Sequence, residues 1–103
     1  GKRDADLAGL GDWTVNEKKV GMPLGKVAEK IRGLGMKFGI WIEPEMVCED
    51  SDLYREHPDW AFTIPGRKPV RARYQLVLDY SRKEVVDGIF AQIAKVLDDT
   101  KAD

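Results

Sequence analysis

The chain has 103 residues, of which 43% are hydrophobic and three are Trp, enough apolar material for one modest core and too much for a disordered chain. Its 17 basic and 18 acidic side chains leave a net charge of −1, which argues against a dedicated nucleic-acid or membrane-surface binder. One Cys leaves no internal disulfide, and no apolar run approaches the roughly 20 residues of a membrane helix.

Residues 1–20 read as irregular chain, punctuated by Asp4, Asp6, Gly9, Gly11 and Asp12. Their apolar anchors are Leu7, Leu10, Trp13 and Val15. The start carries no apolar leader core, so a reducing, cytoplasmic setting is the expectation. Pro23 suits the first turn of a helix. Leu24, Val27, Ala28, Ile31 and Leu34 then fall at helical spacing, and Gly35 supplies a left-handed cap.

Lys37–Ile42 reads as a strand, with Phe38, Ile40 and Ile42 on one face and Lys37, Gly39 and Trp41 on the other. Glu43 extends the second face, and Pro44, which has no N–H, should end regular pairing. Residues 50–60 read as a short helical turn stopped by Pro58, and Pro65-Gly66 as a turn whose flanks form a hairpin. Leu76, Val77 and Leu78 are a continuous apolar run, the pattern of a parallel strand covered on both faces. Ser81 and Glu84 have the spacing of a capping box. The helix that follows carries Val85, Val86, Ile89, Phe90, Ile93, Ala94 and Leu97 on one stripe, and ends in polar residues without a cap of its own.

Helix, strand, excursion, strand and helix imply a parallel α/β layout. Two strands make a poor sheet, and a (β/α)₈ barrel needs about 250 residues. The chain therefore reads as a piece of something larger.

Trp41, Glu43 and Glu45 share parity, so all three can face one cavity at the C-terminal end of a strand, where barrel active sites sit. Carboxylates two residues apart on a strand lie roughly 6–7 Å apart, between the separations of retaining and inverting glycosidase pairs. Against that stands a structural role as acceptors for Arg, Lys or backbone N–H groups. Trp41 is a platform for a sugar ring or a core residue; Trp13 and Trp60 read as packing residues. Arg73, directly before the apolar run, can bring a planar fork of donors to the Trp41 cavity. Asp79 is its candidate partner or a helix-start residue, and Arg67 and Lys68 read as a solvated loop. His57 has no second ligand at metal spacing and Cys48 has no base in a recognisable motif. No cofactor and no metal site are expected.

At Phe38–Val47, FGIWIEPEMV, the chain resembles the α-galactosidases of glycoside hydrolase family 36. The likeness extends to LGDW at Leu10–Trp13, to DSDLYREHPDW at Asp50–Trp60 and to QLVLD at Gln75–Asp79. The resemblance implies part of a (β/α)₈ TIM barrel, roughly from just after the first strand to just before the fourth. It makes Trp41 a wall of the galactose pocket and Arg73 a sugar-binding residue. Tyr74 stands where the family has Asn, and Ala72 where it has Gly. It places the family's paired aspartates just upstream of Gly1, its Lys-Trp-Asp nucleophile just after Asp103 and its acid/base further on. No catalytic residue is then expected in the chain itself, Glu43 and Glu45 included.

The expectation is a segment of a retaining α-galactosidase acting on raffinose-type galactosides, inactive when isolated and prone to self-association through open strand edges. It expects no nucleic-acid or membrane partner. The alternatives are a non-catalytic α/β binding or scaffold module, and a related α-galactosyl transferase.

Overall fold

A computed structural model describes residues 3–5, 7–68, 71–72 and 75–103. Four helices and three short strands follow one another in a mixed α/β order. They are α1 (Glu17–Val20), α2 (Leu24–Gly33), β1 (Met46–Cys48), α3 (Asp52–Glu56), β2 (Arg71–Ala72), β3 (Gln75–Val77) and α4 (Lys83–Thr100), with a 3₁₀ turn at Pro58–Trp60.

Helix α2 forms as its spacing predicts. Pro23 stands at its N-cap, and it closes in a Schellman arrangement. Gly35 (φ 79°) donates to Arg32 O at 2.9 Å, and Met36 donates to Ile31 O at 3.3 Å. A side chain at Gly35 would be strained by that left-handed backbone. One turn of helix, α1, stands where irregular chain was expected; the Asn16 side chain accepts the Lys19 N–H at its start.

Helix α4 also forms, but its start differs from the capping-box expectation. Arg82 is the N-cap and offers no side-chain cap. Ser81 is held instead by Asp79, whose Oδ1 accepts both its N–H at 3.1 Å and its hydroxyl at 2.6 Å. Glu84 turns to Arg82 rather than to Ser81, accepting from Nε at 2.9 Å. A guanidinium two residues away offers a charge-assisted bond that a Ser backbone N–H cannot match. At the other end Lys101 (φ 51°) is a left-handed cap that the sequence did not signal.

The sheet order is β1-β3-β2, and both pairings are antiparallel. The Gln75–Val77 run thus pairs antiparallel with both of its neighbours, where a parallel strand was expected, and it does not pair with Lys37–Ile42 among the described residues. The chain after β1 carries α3, the 3₁₀ turn and a turn at Gly66 (φ 77°), and β2 then pairs antiparallel with the β3 that follows it. Regular pairing also begins just after Pro44 instead of ending there, because the returning β3 lies alongside Met46–Cys48. The flanks of Pro65-Gly66 pair with the β3 segment and not with each other: Phe62 donates to Val77 O at 2.7 Å, and Arg71 is in register with Leu76.

Lys37–Ile42 is not hydrogen-bonded into a sheet among the described residues. Its alternation survives without a ladder. Phe38 is buried, Ile40 and Ile42 are half-buried, and Trp41 is 83% exposed. Phe38 is pinned to the chain's end, donating to Asp103 Oδ2 and accepting from Asp103 N–H, both at 2.9 Å.

The core lies between the sheet, α3 and the first half of α4. It contains Val47, Leu53, Trp60, Leu76, Leu78, Val85 and Ile89. The Trp60 indole stacks on His57 with centroids 4.0 Å apart. α2 packs along the outer length of α4.

Candidate functional site

The site is built on the LGDW turn. Gly11 has φ 105°, and a Cβ there would lie 2.8 Å from Val47 Cγ2, so only Gly fits both the backbone and the space. That turn buries Asp12 beneath α3. Its Oδ2 accepts the Asp52 N–H at 2.8 Å and its Oδ1 the Leu53 N–H at 2.9 Å. Ser51 Oγ takes the Tyr54 N–H at 3.1 Å, so the first three amides of α3 are satisfied by side chains. Trp13 follows, its N–H donating to Gln92 Oε1 of α4 at 2.8 Å. The turn is thereby fixed to both helices.

Opposite it runs the extended segment with Trp41. A cleft of about 190 Å³ opens between them, lined by Trp41, Glu43, Asp12, Trp13 and Arg3 along with the Gly9–Gly11 backbone. A smaller apolar recess continues under Trp13 and Trp41 to Ile40, Ile42, Leu24 and Val96. Trp41 and Glu43 thus face one cavity, as their shared parity implies. Glu45 does not join them; it is exposed, and its charge acts on Tyr80. Burial first, and Glu45 second, hold the Tyr80 hydroxyl above its ordinary pKa, and that hydroxyl donates to Pro44 O.

Trp13 was expected to pack away from this cavity, yet it lines the same cleft as Trp41. The LGDW motif carried the signal, because it is one of the segments shared with the sugar hydrolases. Its Nε1 is buried and has no hydrogen-bond partner among the described residues. Trp60 is a buried packing residue, as expected. Asp79 holds Ser81 just ahead of α4, its expected pairing with Arg73 lies outside the described residues, and Arg67 and Lys68 are exposed. Arg73 lies outside the described residues. Cys48 is buried at the end of β1 and His57 is spent on its stack with Trp60. Among the described residues, no three His, Cys, Asp or Glu side chains gather to hold a metal ion. No described helix is long and apolar enough to cross a membrane.

The melibiase family pattern matches residues 1–103. The chain is 61% identical over 103 residues to the bifunctional alpha-galactosidase/sucrose kinase AgaSK of Mediterraneibacter gnavus, an alignment covering 100% of this chain and 11% of that protein. The solved galactosidase domain of AgaSK matches with a TM-score of 0.93 at 61% identity, over 100% of this chain and 14% of its own. A variant of the GH36 alpha-galactosidase AgaA from Geobacillus stearothermophilus, in complex with raffinose, matches with a TM-score of 0.87 at 49% identity. That match covers 94% of this chain and 14% of AgaA.

The class these matches define is the glycoside hydrolases. Within it, the chain belongs to the melibiase family, glycoside hydrolase family 36. It spans 11% and 14% of the length of the relatives it matches.

Proposed function

We propose that this chain is a segment of a retaining α-galactosidase that hydrolyses terminal α-galactosides of the raffinose type, and that it supplies one wall of the sugar pocket. The observation that carries this is the exposed indole of Trp41 beside the Glu43 carboxylate in one cleft, inside a family-specific motif. An indole offers a flat apolar face to the C–H side of a sugar ring, and carboxylates accept from its hydroxyls. In this reading Arg73, two residues before the QLVLD segment in sequence, is a second sugar-binding residue. Retention needs two carboxyl groups flanking the bond, one to attack the anomeric carbon and one to protonate the leaving oxygen. Both come from other parts of the enzyme in this reading.

The barrel placement is part of the same proposal: just after the first (β/α)₈ strand to just before the fourth, with Lys37–Ile42 as the second strand and Gln75–Leu78 as the third. Two bulk properties support it. The radius of gyration is 15.3 Å, against about 13 Å for a compact chain of this length. The exposed surface is 7155 Å², against about 5,800 Å² by surface scaling. Phe90 on α4 is 69% exposed, an apolar side chain with space for further protein. The same open faces favour self-association of the isolated chain.

The test is nitrophenol release from nitrophenyl α-galactoside. The complete polypeptide containing this segment should turn the substrate over with retention, and the 103-residue chain alone should not. An inert complete protein would sink the reading. Turnover that co-purifies with the isolated chain would overturn the assignment of both carboxyl groups elsewhere.

A further inference from the structure

We propose that Glu43 is a specificity-determining residue of this cleft, its carboxylate accepting hydrogen bonds from the hydroxyls of a sugar held against Trp41. The inference rests on the α-galactosidase reading above. Three carboxylates stand in the segments that build the cleft, and two are accounted for. Asp12 has both oxygens engaged by the amides of Asp52 and Leu53. Glu45 is exposed and turned to the Tyr80 side. Glu43 is half-buried, lines the cleft with Trp41, and has no hydrogen bond or ion pair with a described residue.

An ionised carboxylate is acceptor-only, with about four lone-pair sites. Removing it from water without a partner is unfavourable, and a ligand rich in hydroxyl donors relieves that cost. Bonds to a charged acceptor are shorter and stronger than neutral ones. Trp41 cannot distinguish one sugar from another by its flat face alone, whereas a carboxylate at the ring's edge reads which hydroxyls are present. A site built to bond a hydroxyl rejects the analogue lacking it far more strongly than an apolar pocket rejects a change in size. Trp41 therefore supplies the surface, and Glu43 the discrimination.

The experiment uses the complete enzyme containing this segment. Glu43→Ala and Glu43→Gln are compared with the unmodified protein on nitrophenyl α-galactoside and on its 2-, 3-, 4- and 6-deoxy analogues. Turnover of the parent galactoside by the unmodified protein tests the α-galactosidase reading separately, before any variant is compared. Glu43→Ala should lower kcat/KM on the parent sugar by about 10- to 100-fold. On the deoxy analogue that lacks the bonded hydroxyl, the same substitution should cost less than about 3-fold, because the interaction is already gone. Glu43→Gln keeps the volume and one acceptor, so it should fall between the two and preserves the test if the Ala variant does not fold. An equal loss on every sugar would make Glu43 an internal partner of another side chain and overturn the proposal. Unchanged kcat/KM on the parent sugar would overturn it as well.

Discussion

The six-membered ring of Trp60 reaches Gly88 of α4 so closely that a Cβ there would sit 2.4 Å from its Cη2 atom and 2.7 Å from its Cζ3 atom. Gly in a helix interior costs about 1 kcal/mol relative to Ala. Here that cost is offset by the packing of a large aromatic ring, on which His57 also stacks with centroids 4.0 Å apart.

Gly88→Ala should therefore destabilise the protein by about 1–3 kcal/mol, although Ala is the better helix former. Adding Trp60→Leu should not add its own full cost, because the two changes share one contact. Thermal denaturation of both single variants and the double variant gives the coupling. A more stable Gly88→Ala protein would show that the indole does not occupy that space.

Asp12 holds the first two amides of α3 across 40 residues of sequence. Asp12→Asn replaces one acceptor oxygen with an NH₂ that faces an N–H. One buried donor is left without a partner, a loss of about 1–3 kcal/mol. Amide exchange at Asp52 and Leu53 should quicken more than exchange in α4. Uniform quickening through the whole chain would instead mean that Asp12 supports the fold in general and not the start of α3.

Arg82 joins the 3₁₀ turn to the start of α4, with Nη2 2.9 Å from Asp59 Oδ2 and 2.6 Å from Glu84 Oε1. The Arg82 hydrogen bond is the main cause holding the Asp59 carboxyl below its ordinary pKa. For Glu84 its own backbone N–H comes first and Arg82 second. Both folded-state values are depressed, so their contribution is present above the ordinary carboxylate range and is lost as pH falls through the folded values. All three groups are solvent-facing, so the effect is small and weakens with salt. Arg82→Gln should flatten the fall in melting temperature between neutral pH and about pH 3, and in NMR carboxyl titration it should move Asp59 back toward its ordinary pKa more than Glu84.

In the complete enzyme, Trp41→Ala removes an apolar face worth about 1–3 kcal/mol, or a 5- to 150-fold fall in kcat/KM. Trp41→Phe should fall less. Trp13→Phe now belongs among the site variants, because Trp13 lines the same cleft; it too should lower kcat/KM. If Trp41→Ala lowers folded yield and leaves kcat/KM of the folded fraction unchanged, Trp41 is a packing residue.

Helical spacing made α2 and α4 readable, because each needs only its own residues and one apolar stripe. Pairing direction was not readable in the same way. The apolar run Leu76–Leu78 looks the same in a parallel strand and in the antiparallel β3, since burial sets composition and the partner sets direction. The capping box failed for a local reason: Asp79 competes for Ser81, and Arg82 for Glu84. At the cleft, parity placed Trp41 with Glu43 but overreached to Glu45, because Pro44 interrupts the alternation between them. Trp13 was missed because its spacing looks like an ordinary anchor; only the folded LGDW turn brings it across from Trp41.

The two hydrogen bonds between Phe38 and Asp103 tie the approach to Trp41 to the far end of the chain. Beyond Phe38 the next lateral bonds come at Pro44, whose carbonyl accepts from the Tyr80 hydroxyl, and at Glu45, whose carbonyl accepts the Leu78 N–H at 3.0 Å. Trp41 therefore lies on a span held at Phe38, at the foot of α4, and again from Pro44 onward. Asp103 thus belongs to the support of the segment that carries the indole, although it lies far from Trp41 in sequence.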